Sequence, residues 1–488
     1  MPALLALDLG TTSAKAALID LEGRTLATAD AQYSVCHTPD GGCEQEPADW
    51  VRAARTAIGR VLPFAAGIAA LCLTGQMQDL VLEGERGAIR PAVLYSDLRA
   101  AAEAGELRAA LAADGQDWDG LTGNLQDASS CAAMFRRLAR TEPAAAAGAR
   151  GITFGPAGHL AHALGAALHC DLTTAAATGL LDARTRDWSP AVADAAGIDP
   201  ALLPHLTSQL GEIVGRTDGN ARDLLGLPAG IPIVLVPGDA GAAALGITGP
   251  APGQDHASLG TSGWIASIRP AAVDTPLNDA SHHLALGPET ALHISAILSA
   301  GAAAAWARDA YLAGADAETA DRLLEDRERA RGRGPTGLLV LPSLGGERFP
   351  VRDETLRGAV LGLHSATTPA DLYAGTLEGV ALALSHALDP ADRGRVLPVV
   401  GGGAASAPWR RILADVTGRP VVRADGNDAT LRGAALAGAQ AVGLDHRMVP
   451  LAAQGGQVTE PAPSAAAAFA ALRPRHRRLY DAAAELAA

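Results

Sequence analysis

At 488 residues the chain is too long for a single compact core, and its length points to two to four domains. A formal net charge of −14 excludes the basic footprint that a nucleic acid or an anionic membrane demands, and no apolar run is long enough to span a bilayer. The apolar share of 48% is ordinary, and the five cysteines (Cys36, Cys43, Cys72, Cys131 and Cys170) contain no CxxC pair, so they read as reduced thiols of a cytoplasmic protein. Asp8 interrupts the first apolar run and no basic segment precedes it, so no secretory signal is expected.

The opening segment reads strand, tight turn, strand, turn, strand. Residues 3–8 are apolar up to Asp8; Gly10-Thr11-Thr12-Ser13 turns the chain; residues 14–20 and 25–31 give two more strands. Lys15, just beyond that turn, is the only lysine in the sequence. Helical patterns dominate residues 97–230, which read as an insertion. The apolar strand IPIVLVP then leads to Asp239 and the small-residue helix DAGAAALG. Residues 246–254 have the Gly/Pro composition of a connection, which divides the chain into residues 1–247 and 248–488. Near residue 256 the opening pattern returns as HASLGTSGWIASIR, with Gly260, Thr261, Ser262 and Gly263 between apolar strands. Two such turns at corresponding points of two halves predict a duplicated α/β domain. A strand at 398–400 next enters Gly401-Gly402-Gly403-Ala404. Its helix carries Pro408 in the first turn, apolar Trp409, Ile412, Leu413 and Val416 at helical spacing, and Gly418 as its stop.

The familiar nucleotide motifs fail. A P-loop needs Gly-Lys-Ser/Thr, and the sole lysine follows Ala14. The run from Gly332 to Gly337 fits GxGxxG but precedes a strand, the wrong context for a dinucleotide fold. No Cys/His metal spacing is present. The small-residue turns remain. Gly10, Thr11, Thr12 and Ser13, like Gly260, Thr261 and Ser262, expose successive N–H groups and hydroxyls that can nest phosphate oxygens without many charges, although such turns also simply close hairpins. Lys15 supplies a point charge beside the first turn. Asp8, at a strand end before it, suits a Mg²⁺ ligand. Gly401, Gly402, Gly403 and Ala404, ahead of a helix, allow close approach of a base or phosphate. Asp239 reads either as a helix cap or as a general base whose pKa the helix start lowers and a triphosphate raises. The Gly/Ala face of its helix permits very close approach of a second element, as at a hinge.

Together these residues resemble the FGGY carbohydrate kinases of the sugar kinase, Hsp70 and actin superfamily. The matching stretches are LDLGTTSAKAALID, GQMQDLVL, LYSDLRA, LTGN, PGDAGAAALG, SLGTSGW, LPSLGGERFP, GTLEGVALAL, VVGGGAASAPWRRILADVTGRPV and RGAALAGAQAVG, in order along nearly the whole chain. The resemblance implies two ribonuclease-H-like α/β domains flanking a deep cleft that holds ATP, Mg²⁺ and a sugar. It implies Asp239 as catalytic base, the two Gly-Thr turns as phosphate sites, and Gly401 to Gly403 facing the adenosine. The likeness is closest to the xylulokinase branch, which implies sugar contacts from Gln76, Met77, Gln78 and Asp239 on and around a strand, D-xylulose as the leading substrate, and a homodimer. Gln78 replaces the usual His, Ala240 the usual Asn, CAAMFRRL lacks a usual Lys and Trp, and Pro156-Ala157-Gly158 replaces Pro-Lys-Asp. These departures lie on the sugar side, so ribulose, gluconate or another polyol stay open as substrates, as does a nucleotide-dependent switch on the same fold.

Overall fold

The computed structural model describes residues 2–271, 281–424 and 428–487. Smaller sheets of two or three strands aside, each half builds one large sheet. In the first, β1 (Ala3–Leu9), β2 (Ser13–Ile19), β3 (Thr25–Gln32), β4 (Ile68–Gly75), β5 (Glu212–Arg216) and β6 (Pro232–Leu235) lie in the order β5-β6-β4-β1-β2-β3. In the second, β7 (Asp255–Leu259), β8 (Gly263–Pro270), β9 (Ser281–Ala285), β10 (Thr290–Ile297), β11 (Leu397–Val400), β12 (Val421–Arg423) and β13 (Val458–Thr459) lie in the order β9-β10-β8-β7-β11-β12-β13.

Without the edge strands β5, β9 and β13, the run β3-β2-β1-β4-β6 recurs as β10-β8-β7-β11-β12. Directions match too: the first two pairings are antiparallel and the last two parallel in both sheets. This is the ribonuclease-H-like arrangement, and the repeat read from two short turns is a repeat of the whole sheet. Central β1 is covered on both faces, so Leu4, Leu5, Leu7 and Leu9 are all buried without alternation. Edge strand β3 is largely open to solvent.

Helix α1 (Pro47–Val61) covers one face of the first sheet with Trp50, Ala54, Ile58 and Val61. The other helices that matter to the site are α2 (Asp239–Thr248), α3 (Gly301–Tyr311), α4 (Ala407–Thr417) and α5 (Ala429–Ala441). Helix α2 follows β6 and α5 follows β12, so they are topological equivalents, and they pack on each other. A Cβ on Gly246 would stand 1.9 Å from the Ala429 carbonyl oxygen, and one on Gly433 would stand 1.8 Å from that of Ala242. Residue 246 meets 429 while 242 meets 433, the reciprocal pattern of a two-fold contact. The close approach expected of the small-residue face is thus present, and it joins the halves. Leu4, Val234 and Leu245 share one core with Leu431 and Ala435.

The insertion is mainly helical, including Ala101–Ala113, Cys131–Thr141 and Pro156–Ala163, and it also supplies edge strand β5. Helix α4 ends at Gly418 with φ +65° and starts at Ser406, whose hydroxyl accepts from the Trp409 N–H at 3.2 Å. All five cysteines are free, with Cys36 exposed and the others buried.

Candidate active site

The candidate residues sit at equivalent places in the two sheets: the β1–β2 and β7–β8 turns, the exits of β4 and β11, and the exit of β6. At the first turn, the Gly10 N–H donates to the Ser13 carbonyl at 3.0 Å. The other carbonyls are held from behind. Tyr33 donates its hydroxyl to Gly10 O and its N–H to Thr12 O at 3.0 Å, and the Gln45 amide donates to Thr11 O at 2.7 Å. With its carbonyls engaged on the protein side, the turn leaves the N–H groups of Thr11 and Thr12 unbonded among the described residues. The second turn repeats this with different partners. Gly301 N–H donates to Gly260 O at 2.8 Å, and the N–H groups of Ala300 and Ala302 donate to Thr261 O at 3.0 and 3.1 Å. The N–H groups of Thr261 and Ser262 are left free in the same sense. Oriented amides of this kind form an anion nest. A Cβ would have room at Gly10 and at Gly402, so both loops are open on their outer side.

The glycine triplet packs against the second turn. Gly401 has φ +91°, and a Cβ there would lie 2.7 Å from Leu259 backbone atoms; one on Gly403 would lie 2.6 Å from the Trp409 ring. Two of the three glycines are therefore required by the fold, and Gly402 is the open one. A short 3₁₀ turn, Gly402–Ala405, separates the strand from α4. Turn and triplet meet because β7 and β11 are parallel neighbours.

In the first half, β4 ends at Gly75, and Gln76, Met77 and Gln78 lie beyond it in a loop. This corrects the expectation of a polar strand: Gln76 N–H still bonds Leu9 O at 2.9 Å, but Gln78 takes a left-handed φ of +65°, which ends the extended run. Met77 packs against Gly238, where a Cβ would lie 2.4 Å from its sulfur. Asp239 is the first residue of α2 with Gly238 as cap, so it is not the cap itself, and its Oδ1 accepts from the Ala240 N–H at 2.7 Å.

Carboxyls crowd here. Burial, then the charge of Asp8, raises the Asp239 pKa to about 7, against the bond from Ala240. The lowering expected of the helix start is outweighed. Burial likewise raises Asp8 to about 6, opposed by Lys15, its exposed cross-strand partner in the β1–β2 ladder. Asp8 Oδ1 is buried without a hydrogen-bond partner. Among the described residues no three His, Cys, Asp or Glu side chains group to hold a metal. One unpartnered carboxylate beside an amide nest fits Mg²⁺, which retains waters and phosphate oxygens in its shell.

Comparison with known proteins supplies the family. The N-terminal domain of the FGGY family of carbohydrate kinases matches residues 3–246, and its C-terminal domain matches residues 256–442. The chain belongs to the FGGY carbohydrate kinases. It is 30% identical to a xylulose kinase of Streptomyces rubiginosus, with 91% of this chain and 88% of that one covered. It is 31% identical to a glycerol kinase of Aromatoleum aromaticum, with 91% of each covered. A solved xyloylose kinase from Brucella ovis superposes with a TM-score of 0.86 at 29% identity, covering 99% of this chain and 100% of that one. The FGGY fold makes this chain a phosphotransferase of small carbohydrates, and no helix among the described residues is long and apolar enough to cross a membrane.

Several residues that hold the candidate site of this FGGY kinase together are invisible to motif reading. Buried Gln45 is the hub: beyond Thr11 O, its carbonyl accepts from the Trp50 indole and the Gln76 amide, each at 3.0 Å. It ties the first turn to the β4 exit. Asp171 caps the helix Leu172–Ala177 through the Thr174 N–H at 2.9 Å and also accepts from the Gly238 N–H at 3.0 Å, which sets the approach to Asp239. Thr74 donates to Pro237 O at 2.7 Å. Only the Asp171 cap has a sequence signal, Asp-Leu-Thr-Thr, and that signal reports the local bond, not the distant one.

Proposed function

We propose that the chain is a cytoplasmic ATP-dependent kinase that phosphorylates the terminal hydroxyl of a ketose, with D-xylulose the leading candidate. The observation that carries this reading is Asp239, a carboxyl lifted to about 7 beside an amide turn whose N–H groups are free. A base near neutral pKa is suited to take the proton of an attacking hydroxyl. In this reading residues 1–247 bind the sugar through Gln76, Met77, Gln78 and Asp239, and residues 248–488 bind the nucleotide.

Gly10, Thr11, Thr12, Ser13 and Lys15, with Gly260, Thr261 and Ser262, hold the phosphate chain; Gly401 to Ala404 face the adenosine; Asp8 holds Mg²⁺. No bond among the described residues joins the two turns, so one ligand between them is the element the proposal adds. MgATP, when bound, supplies the phosphoryl group and neutralises its developing charge. The protein's part is to orient the acceptor hydroxyl at Met77 and Gln78, remove its proton at an Asp239 oxygen, and exclude water.

The test is ADP release with D-xylulose, ribulose, glycerol and gluconate, with mass spectrometry of the product. Sugar-dependent ADP release with one phosphate added to D-xylulose is the expected result, and Asp239→Ala should lower kcat by about 10²–10⁴-fold. ADP release indifferent to every acceptor would replace this reading with a nucleotide-dependent switch.

A further inference from the structure

Gln78 is gripped from outside its own loop. Its amide nitrogen donates to the Ser129 carbonyl at 2.8 Å and to the Ser129 hydroxyl oxygen at 3.1 Å. Ser129 in turn donates its hydroxyl and its backbone N–H to Asp127 Oδ1, at 2.6 and 2.8 Å. The second oxygen of Asp127 accepts from Arg352 at 3.3 Å. Three parts of the chain meet here: the β4 exit, the insertion, and a segment of the second half 225 residues from Asp127.

Each link has a fixed direction. Burial alone would raise the Asp127 pKa, but the Ser129 bonds and the charges of Arg352 and Arg348 outweigh it and hold the carboxyl below its usual range. An ionised Asp127 can only accept, so the Ser129 hydroxyl proton points to it and the hydroxyl oxygen faces Gln78 as an acceptor. Both groups that Gln78 meets at Ser129 are then acceptors. A reversed amide would set its carbonyl against them, so only one orientation is satisfied. The Gln78 carbonyl oxygen is left half-buried with no partner among the described residues.

We infer that Arg352, Asp127 and Ser129 form a relay between the halves that fixes the Gln78 carbonyl oxygen toward the acceptor, so that this position takes a hydroxyl donor and disfavours a carboxylate. The inference rests on the kinase reading and deepens it: a neutral ketose or polyol is favoured over a sugar acid. Arg352 belongs to the opposite half, so the relay is complete only when the halves are together, which couples closure to acceptor recognition. Arg352, Asp127 and Ser129 are positioning residues; none of them touches the reacting atoms.

The experiment measures kcat and KM for D-xylulose, glycerol and gluconate by ADP release in the wild-type enzyme, Asp127→Ala, Arg352→Ala and Arg352→Lys. Asp127→Ala should raise KM for the preferred neutral acceptor about five- to tenfold, the effect of one hydrogen bond, and leave kcat within about twofold. The disadvantage of gluconate should shrink by the same factor, with KM for ATP unchanged. Arg352→Ala should move KM in the same direction by about threefold, as suits a half-exposed pair, and Arg352→Lys should restore it. Unchanged acceptor KM in both alanine variants, or a wild-type preference for gluconate, overturns the relay. Arg352 lies at the surface, so its variants report even if Asp127→Ala does not fold. A wild-type enzyme that turns over no acceptor instead defeats the kinase reading beneath it.

Discussion

As the proposed base, the Asp239 carboxyl should set the acid limb of the pH profile. With its pKa at about 7 in the folded protein, against 3.8 for the free group, the base is lost as pH falls through neutrality, far above the range of an ordinary aspartate. About nine-tenths of it is ionised at pH 8, about a tenth at pH 6 and about a hundredth at pH 5, so relative to pH 8 kcat/KM for the acceptor should be roughly tenfold lower at pH 6 and roughly ninetyfold lower at pH 5. The assay is initial-rate ADP release with MgATP and acceptor both well below their KM, so that the rate reports the enzyme with neither bound. Asp8→Asn removes the second cause of the shift and should move the limb to lower pH in whatever activity remains. Stability carries the opposite sign. The folded state binds this proton more tightly than the unfolded chain, so the stabilisation present below pH 4 is lost as pH rises toward 7. Asp239→Asn should therefore raise Tm at pH 8 and leave it unchanged at pH 4. A profile flat to pH 5, or an Asp239→Asn enzyme with the wild-type Tm at pH 8, refutes the assignment of a raised carboxyl at this position.

Three other perturbations probe separate parts of the site. Gly433→Ala puts a Cβ 1.8 Å from the Ala242 carbonyl oxygen, so α2 and α5 must part; we expect a loss of about 1–3 kcal/mol in denaturant unfolding, with kcat lowered because α2 carries Asp239. Gln45→Leu leaves the Thr11 carbonyl, the Trp50 indole and the Gln76 amide without their partner; we expect about 2–4 kcal/mol of destabilisation and higher KM for both ATP and acceptor, measured by unfolding and by steady-state kinetics. Lys15→Ala removes the charge that lowers the Asp8 pKa and, in the proposed site, a contact to phosphate; KM for ATP should rise about tenfold or more with acceptor KM little changed.

What could be read from the sequence is what local pattern determines. The β1–β2 and β7–β8 hairpins and the helix after Gly401-Gly402-Gly403 with its Gly418 stop follow from apolar spacing and turn residues, whereas the connection read at residues 246–254 starts too early, because α2 continues to Thr248. The Gly332–Gly337 run was legible as wrongly placed, and it does lie before a strand, Leu339–Leu341, with its Arg333 paired to Asp415. The hub at Gln45 was not legible, because the residues it joins are brought together by strand order: Gln76 is 31 positions away and Thr11 is 34. The left-handed turn at Gln78 was hidden for a related reason. A glutamine carries no local preference for positive φ, and what holds it there is Ser129, 51 positions on. The pKa of Asp239 could be argued either way from a helix start; only the burial and the neighbouring Asp8 decide its sign.

The repeated sheet explains why so acidic a chain can be read as a binder of a polyphosphate. A net charge of −14 repels an anion at long range, and the carboxyls of Asp8, Asp79, Asp171 and Asp239 gather where the first half presents its loops. Free backbone N–H groups act at contact distance and carry no net charge, so the long-range field does not preclude them. Duplication provides two such turns at equivalent strand junctions, each with its carbonyls engaged by its own half, through Tyr33 and Gln45 in one and the start of α3 in the other. The equivalent exits then diverged: β4 leads into the polar Gln76 to Gln78, and β11 into side-chain-free Gly401 to Gly403. The first turn has a carboxyl and an ammonium group next to it in sequence, Asp8 and Lys15, and the run Gly260 to Gly263 carries no charged side chain. An asymmetric ligand, with a charged tail and a flat, uncharged head, is what such an asymmetric pair of sites on a symmetric frame would be expected to hold.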